Sequence, residues 1–359
     1  MKPNILDNPA QIAKLDSQNM RGSLERLGQQ IEQVWRQSAG LKIPASYKTT
    51  SHIVVLGMGG SALGARVIKS LFFNELKAPL EIVNGYHLPE FVNARSLVLV
   101  SSYSGTTEEP LAALSEARRR RAKLLAITSG GALAEVSRRA KIPALIFTTE
   151  NNPCGSPRMG LGYLIVGAMI LLAKAGVLSF RHSAARQLIK TIERFQNVFG
   201  IPAGSNHNRA KQIAGKTLGR SVWYVAAEHL AGNAHIAANQ MNENGKRFAA
   251  SFAVPEMNHH LLEGMRFPRS NHDNLLFILI KSDLYEDKIK QRLDLTKRVL
   301  DKNNIVNVGY LCRSRTKPEQ AAEVLLFSSY VSFYSALVQG IDPTAIPFVD
   351  FFKEQLKKT

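Results

Sequence analysis

Short apolar runs rich in β-branched residues alternate with amphipathic stretches along the first half of the chain. "HIVVLG", from His52, reads as a strand and "SALGARVIKSLF" as the helix behind it. "PLEIVNG" reads as a second strand, and "SLVLVSS" as a third that leads into the helix "TEEPLAALSEARRR". "AKLLAITSGG" and "IPALIFTT" complete the set. Brief apolar strands separated by helices predict a parallel sheet covered on both faces.

The rhythm changes between Phe180 and Asn208. The helical stretch "SAARQLIKTIERFQNVFG" ends at Gly200 and is followed by "IPAGSNHNR", rich in turn formers, which reads as a connection between domains. The pattern then restarts. "SVWYVAA" is a strand, "GNAHIAANQMNENG" a loop and helix, "NLLFILIKSD" a strand, "EDKIKQRLDLTKRVLDKN" a helix and "NIVNVGYL" a strand, with helical segments to the end. "HIVVLGMGG" corresponds to "VWYVAAEHLAGN" and "LVLVSSYSGTTEE" to "LFILIKSDLYEDK", so the halves read as a degenerate duplication with a cleft between them. The expected organisation is an α/β chain with a helical segment over 1–45, a first doubly wound domain over 46–180, a connecting helix and linker over 181–208, and a second domain over 209–359. In open sheets of this kind ligands bind beyond the carboxyl ends of the strands.

Composition adds limits. A chain of 359 residues can build two cores. The run "MGLGYLIVGAMILLAKAGVL" is cut by Lys174, short of the roughly 20 apolar residues a bilayer needs, and reads as a buried helix. Cys154 and Cys312 are the only cysteines, which leaves no disulfide framework and no cysteine-based zinc site. The first residues, "MKPNILDNPAQIAKLD", hold no apolar stretch of the kind a secretory signal has, so the expected location is cytoplasmic, with no membrane partner. The formal charge of +18 favours anionic partners, sugar phosphates or nucleic acid. The one dense cluster, Arg118 to Arg121, falls late in a helix where it suits the helix dipole. No nucleic-acid-reading motif lies beside it, so a solvated basic surface is the favoured reading.

Three segments carry candidate chemistry. "GMGGSALG" follows the first strand, but a dinucleotide fingerprint would need glycine where Ala62 stands, and neither a ribose-binding acid nor a Walker lysine follows. "SSYSGTTEE" gathers the hydroxyls of Ser101, Ser102, Ser104, Thr106 and Thr107 around Gly105 at a helix N-terminus, a cradle suited to phosphate. An N-capping role would account for one or two of these hydroxyls, not five. "NQMNENGKRFAASFAVPEMNHH" sets Glu243 among amides and beside an apolar stretch, an environment that suits a carboxylate base, and adds His259, an imidazole able to move protons near neutrality. The adjacent His259 and His260 diverge and chelate a metal poorly, so no metal is expected.

With "SPRMGLGYL" and the tail "GIDPTAIPFVDFFKEQLKK", these motifs resemble, in order and over nearly the whole chain, the bifunctional phosphoglucose/phosphomannose isomerases of the sugar isomerase (SIS) domain superfamily. The most specific part is "NENGK" with "PEMNHH". The resemblance implies two flavodoxin-like SIS domains and a homodimer with active sites near the subunit interface. It implies sugar 6-phosphates as substrates and no cofactor. It places the phosphate on Ser102, Ser104 and Thr107, with Gly59, Gly60 and Ser61 lining the same pocket. Arg158 matches the family's arginine that stabilises enediolate charge, and Glu243 its base. His259 matches the ring-opening histidine supplied by the neighbouring subunit. Lys353 matches the lysine of the family's C-terminal region, with Lys357 as the alternative. Ala65, Arg66 and Thr106 depart from the family's usual residues, which leaves the preference between glucose and mannose 6-phosphate open. The implied reaction is metal-independent aldose–ketose isomerisation through a cis-enediol. The rival readings are a non-catalytic SIS sensor of sugar phosphates, which would need a DNA-reading domain, and an SIS enzyme for amino sugar phosphates, which would need a glutaminase segment.

Overall fold

In a computed structural model, which describes residues 5–356 and residue 358, the chain forms two parallel sheets. The first contains β1 (His52–Leu56), β2 (Leu80–Val83), β3 (Ser96–Ser101), β4 (Lys123–Thr128) and β5 (Ala144–Ile146) in the order β2-β1-β3-β4-β5. The second contains β6 (Ser221–Ala227), β7 (Ala249–Val254), β8 (Leu275–Lys281) and β9 (Val306–Leu311) in the order β7-β6-β8-β9. Up to the extra β5 the two orders are the same, which agrees with the duplication read from the sequence.

Side-chain alternation explains why β1 reads as continuous apolar sequence. Ile53 and Val55 enter the larger core, whereas Val54 and Leu56 enter a second cluster on the opposite face. The second face is covered by the helices Glu108–Arg119 and Gly131–Arg139, through Ala113, Leu114 and Leu133. The first is covered by Leu63–Leu71 and by a π-helical turn, Gly162–Val166, that runs into the helix Gly167–Lys174. The apolar run interrupted by Lys174 is thus buried inside the fold.

β7 is an element that the sequence reading did not separate from the site motif. "AASFAV" is a half-exposed edge strand of small residues, paired with β6 from Val222 opposite Ala249, and Phe252 stacks on Trp223 at 5.0 Å between ring centroids. The helix Lys317–Val338 is apolar and long enough to cross a membrane by length and composition alone, but 94% of its apolar window is buried in this fold. It begins with a capping box in which Thr316 and Glu319 satisfy each other's backbone N–H groups. Ahead of β1, the helices Pro9–Leu15, Met20–Glu25 and Leu27–Gln37 contribute Ile12, Leu24, Ile31 and Val34 to the larger core.

Candidate active site

In the first sheet, β1 and β3 are neighbours whose connections leave in opposite directions, toward β2 and toward β4. That switch point opens a crevice at the carboxyl ends of the strands. The two loops there are Gly57–Ser61 after β1 and Ser102–Thr107 after β3. They are stitched together: Ser101 Oγ donates to the Ser61 carbonyl at 2.7 Å, and the Tyr103 amide donates to Ser61 Oγ at 2.9 Å. Within the second loop, Ser102 Oγ accepts from the Gly105 amide and donates to Thr107 Oγ1, both at 3.1 Å. Gly105 has φ of 71°, and a Cβ there would lie 1.9 Å from the Gly130 carbonyl oxygen, so the loop closes only with glycine.

The five hydroxyls therefore divide by role. Ser101 and Ser102 are buried and spent on the loops' internal bonds, as is Ser61. Ser104 and Thr106 are exposed and bonded to each other at 3.0 Å, and Thr107 is half-buried. Thr107 opens the helix Glu108–Arg119 without capping it through its side chain. Amide groups at that positive helix end thus lie beside hydroxyls near solvent, an arrangement able to take an anion.

The wall opposite is a turn, Pro157–Met159, whose backbone presses on Gly60: a Cβ at Gly60 would sit 3.1 Å from the Arg158 amide nitrogen. Tyr103 joins the same wall. Its hydroxyl accepts from Asn152 Nδ2 at 2.8 Å, and its ring fills the space above Gly160.

Arg158 is 3% exposed, and each of its three guanidinium nitrogens has a polar partner. Nε donates to Asn244 Oδ1 at 2.5 Å, Nη2 to the Thr344 carbonyl at 2.7 Å, and Nη1 lies 3.3 Å from Glu243 Oε2. Burial lowers the guanidinium pKa, and the negative charges of Glu243 and Asp350 act against that. Glu243 is the last residue of the helix Ala231–Glu243 and keeps a third of its side chain exposed. The apolar segment that follows it does not wrap the carboxylate; it becomes β7, with Phe248 pointing out at 74% exposure. Gln240, one turn earlier, donates to the Arg158 carbonyl at 3.2 Å and accepts from Ser329. One buried cation thus ties a turn behind the first sheet to a helix of the second and to the C-terminal tail.

Among the described residues, no hydrogen bond or ion pair joins the remaining candidates to this cluster. His259 is exposed on the short helix Met257–His260 beyond β7, and no hydrogen bond or ion pair among the described residues joins it to Arg158 or Glu243. Lys353 is exposed on the helix Pro347–Leu356, and Lys357 lies outside the described residues. Arg66 points away, donating to Asn84 Oδ1 at 3.2 Å on the β2 side. Two groups in the cluster were not singled out from sequence: Asn244, which holds Arg158, and Lys246, whose ammonium donates to the carbonyls of Glu243 and Pro343. Among the described residues no group of three or more His, Cys, Asp or Glu side chains is placed to hold a metal ion.

Residues 47–155 match the SIS domain, and residues 206–356 match the bacterial phospho-glucose isomerase C-terminal SIS domain. A bifunctional phosphoglucose/phosphomannose isomerase of Aquifex aeolicus is 30% identical over 312 residues, which cover 85% of this chain and 90% of that protein. The chain belongs to the bifunctional phosphoglucose/phosphomannose isomerase family. A second member of that name, from Caldicellulosiruptor bescii, is 26% identical over 346 residues, covering 93% of this chain and 98% of the relative. Among solved structures, a hypothetical protein from Thermus thermophilus superposes with a TM-score of 0.72 at 17% identity, covering 98% of this chain and 93% of that one, which supports the two-sheet fold. The segments singled out from the sequence lie at two places: "GMGGS" and "SYSGTT" follow β1 and β3, and "SPR" is tied to "NENGK" through Arg158, Asn244 and Glu243.

Proposed function

We propose that this chain interconverts glucose 6-phosphate, mannose 6-phosphate and fructose 6-phosphate by proton transfer through a cis-enediol. The observation that carries this reading is the pairing of a one-third-exposed carboxylate, Glu243, with a buried guanidinium, Arg158, whose turn packs against Gly60 in the loop stitched to the hydroxyl-lined loop Ser102–Thr107. The phosphate binds at the loop Ser102–Thr107, where Ser104 and Thr107 offer hydroxyls and Ser102 holds the loop's shape; Gly59 leaves open space for the substrate, and Gly60 admits the turn that carries Arg158. Glu243 removes the proton from C2 of the aldose and returns it to C1, a role worth about 10²–10⁴-fold in rate. Arg158 stabilises the oxyanion that develops next to that carbon, and its pre-formed bonds to Asn244 and Thr344 mean that it needs no rearrangement. Rotation of the enediol about C2–C3 turns either face of C2 toward Glu243, which serves both hexose epimers.

We also propose that the chain works as a cytoplasmic homodimer of two-domain subunits, 46–180 and 209–359 joined by 181–208. The ring-opening His259 of one copy would complete the site of the other, and Lys353 would assist from the tail. Two features support this: His259 is exposed and, among the described residues, has no hydrogen bond or ion pair to its own chain's Arg158 or Glu243, and the helix Pro347–Leu356 leaves Phe348, Phe351 and Phe352 uncovered. The functional reading is tested by offering glucose 6-phosphate and mannose 6-phosphate separately and following fructose 6-phosphate in a coupled assay. Turnover of neither refutes it. Restored activity on mixing Glu243→Gln with His259→Ala subunits is the expected sign of a shared site; no restoration on subunit exchange refutes the sharing.

A further inference from the structure

The turn after the helix Ala231–Glu243 holds a charged group that the mechanism above does not use. Lys246 takes a left-handed conformation, φ 52°, and Gly245 makes the turn possible, because a Cβ there would lie 2.5 Å from Met241 Sδ. The Lys246 side chain folds back, and Nζ donates to the Glu243 carbonyl and, at 3.0 Å, to the Pro343 carbonyl. The next carbonyl along the tail, Thr344, accepts from Arg158. Two cations that each contact Glu243, Arg158 at its carboxylate and Lys246 at its carbonyl, therefore grip the consecutive carbonyls of Thr344 and Pro343. That segment leads directly into the helix Pro347–Leu356, which carries Lys353 and buries none of its residues. Among the described residues, the links that place this helix are the segment before it and the charge of Asp350, which acts on Arg158.

We propose that Lys246 is a positioning residue for the isomerisation: its ammonium holds the tail segment 341–346, and with it the helix bearing Lys353, against the end of the helix that supplies Glu243. The inference rests on the isomerase reading for its catalytic consequence, but not for the grip itself. The charges facing Nζ are Arg158 from the turn Pro157–Met159, Glu243 from the helix end and Asp342 from the tail. Burial, followed by the positive charge of Arg158, brings the Lys246 pKa down to about 8 against the opposing pull of Asp342 and Glu243. The grip is a pair of charge-assisted bonds, so it is complete below that pH and weakens as the amine loses its proton above it.

The test combines hydrogen–deuterium exchange of residues 341–356 with steady-state kinetics on glucose 6-phosphate, for wild type, Lys246→Met and Lys246→Arg. In Lys246→Met the tail is expected to exchange at least about tenfold faster. A displaced catalytic segment lowers kcat by about 10–100-fold with KM within about threefold of wild type. Wild type is expected to lose kcat as pH rises through about 8, and Lys246→Arg to recover most of the rate and carry that limb to higher pH, because arginine stays charged. Unchanged tail exchange in Lys246→Met overturns the proposal whatever the rate does, and so does a kcat within twofold of wild type, roughly the scatter of such measurements. If circular dichroism shows Lys246→Met unfolded, Lys246→Arg decides: an alkaline limb that does not move overturns the proposal. If wild type turns over no hexose 6-phosphate, the isomerase reading fails, and tail exchange alone decides the role of Lys246.

Discussion

Glu243→Gln separates the chemistry of the site from its architecture. The substitution keeps the side chain's shape and leaves an amide oxygen that can still accept from Arg158 Nη1, now 3.3 Å from Glu243 Oε2. Arg158 also keeps its bonds to Asn244 and Thr344, so the buried guanidinium is not stranded. Replacing a charged acceptor by a neutral one at a carboxylate that is one-third exposed costs about 1–2 kcal/mol of stability, a melting shift of a few degrees. Losing the base costs far more in rate. General-base catalysis worth about 10²–10⁴-fold corresponds to about 3–5 kcal/mol of transition-state energy at 1.36 kcal/mol per decade. The expected result is a folded protein whose kcat is at least about a hundredfold down, with KM within about threefold. Coupled detection of fructose 6-phosphate measures the rate, and NMR in deuterated water follows deuterium entering C2. A variant that keeps kcat within tenfold of wild type, or that still exchanges the C2 proton at the wild-type rate, refutes Glu243 as the base.

Gly105→Ala drives a Cβ to 1.9 Å from the Gly130 carbonyl and 2.7 Å from Thr128 Oγ1 at a φ of 71°, so the phosphate loop must open. KM for hexose 6-phosphates is expected to rise by at least about tenfold, more than kcat falls, and an unchanged KM argues against this loop as the phosphate site. His229 is buried, with Nε2 2.9 Å from Gln320 Oε1, and burial lowers its pKa to about 4 from an ordinary value near 6.5. The folded state therefore binds fewer protons than the unfolded one. The stability held by the neutral ring is complete above about pH 6.5 and drains away toward pH 4, by up to about 3 kcal/mol. Thermal melts of His229→Gln are expected to show a shallower loss across that window than wild type, and an identical slope refutes the assignment. EDTA is expected to leave hexose phosphate turnover intact, whereas loss of activity restored by zinc would require a metal in the mechanism.

The parts of this structure that are legible in the sequence are those set by neighbours along the chain. β1 and β3 read as strands because both faces are buried, so no polar position interrupts them. The phosphate loop reads as a cluster of hydroxyls around a glycine because its bonds, Ser102 to Gly105 and Ser102 to Thr107, close within five residues. β7 escapes for the opposite reason. It is an edge strand, its exposure follows no clean alternation, and its pairing with Val222 to Ala227 is a tertiary fact. The division among the hydroxyls is also tertiary, since Ser101 is spent on Ser61, forty residues earlier. Arg158 and Glu243 were recognisable as residue types within motifs, but what makes them a unit is their own ion pair and the bonds of Arg158 to Asn244 and the Thr344 carbonyl, 86 and 186 residues away. Lys246 belongs to the same class: in sequence it is a lysine after a glycine, and only its bond to a carbonyl 97 residues away gives it a task. The tail, last in sequence, is thus built into the wall of a site whose first loop begins at Gly57. A substitution in the segment 341–346 is therefore expected to act on Arg158 and Lys246 together, not on the tail alone.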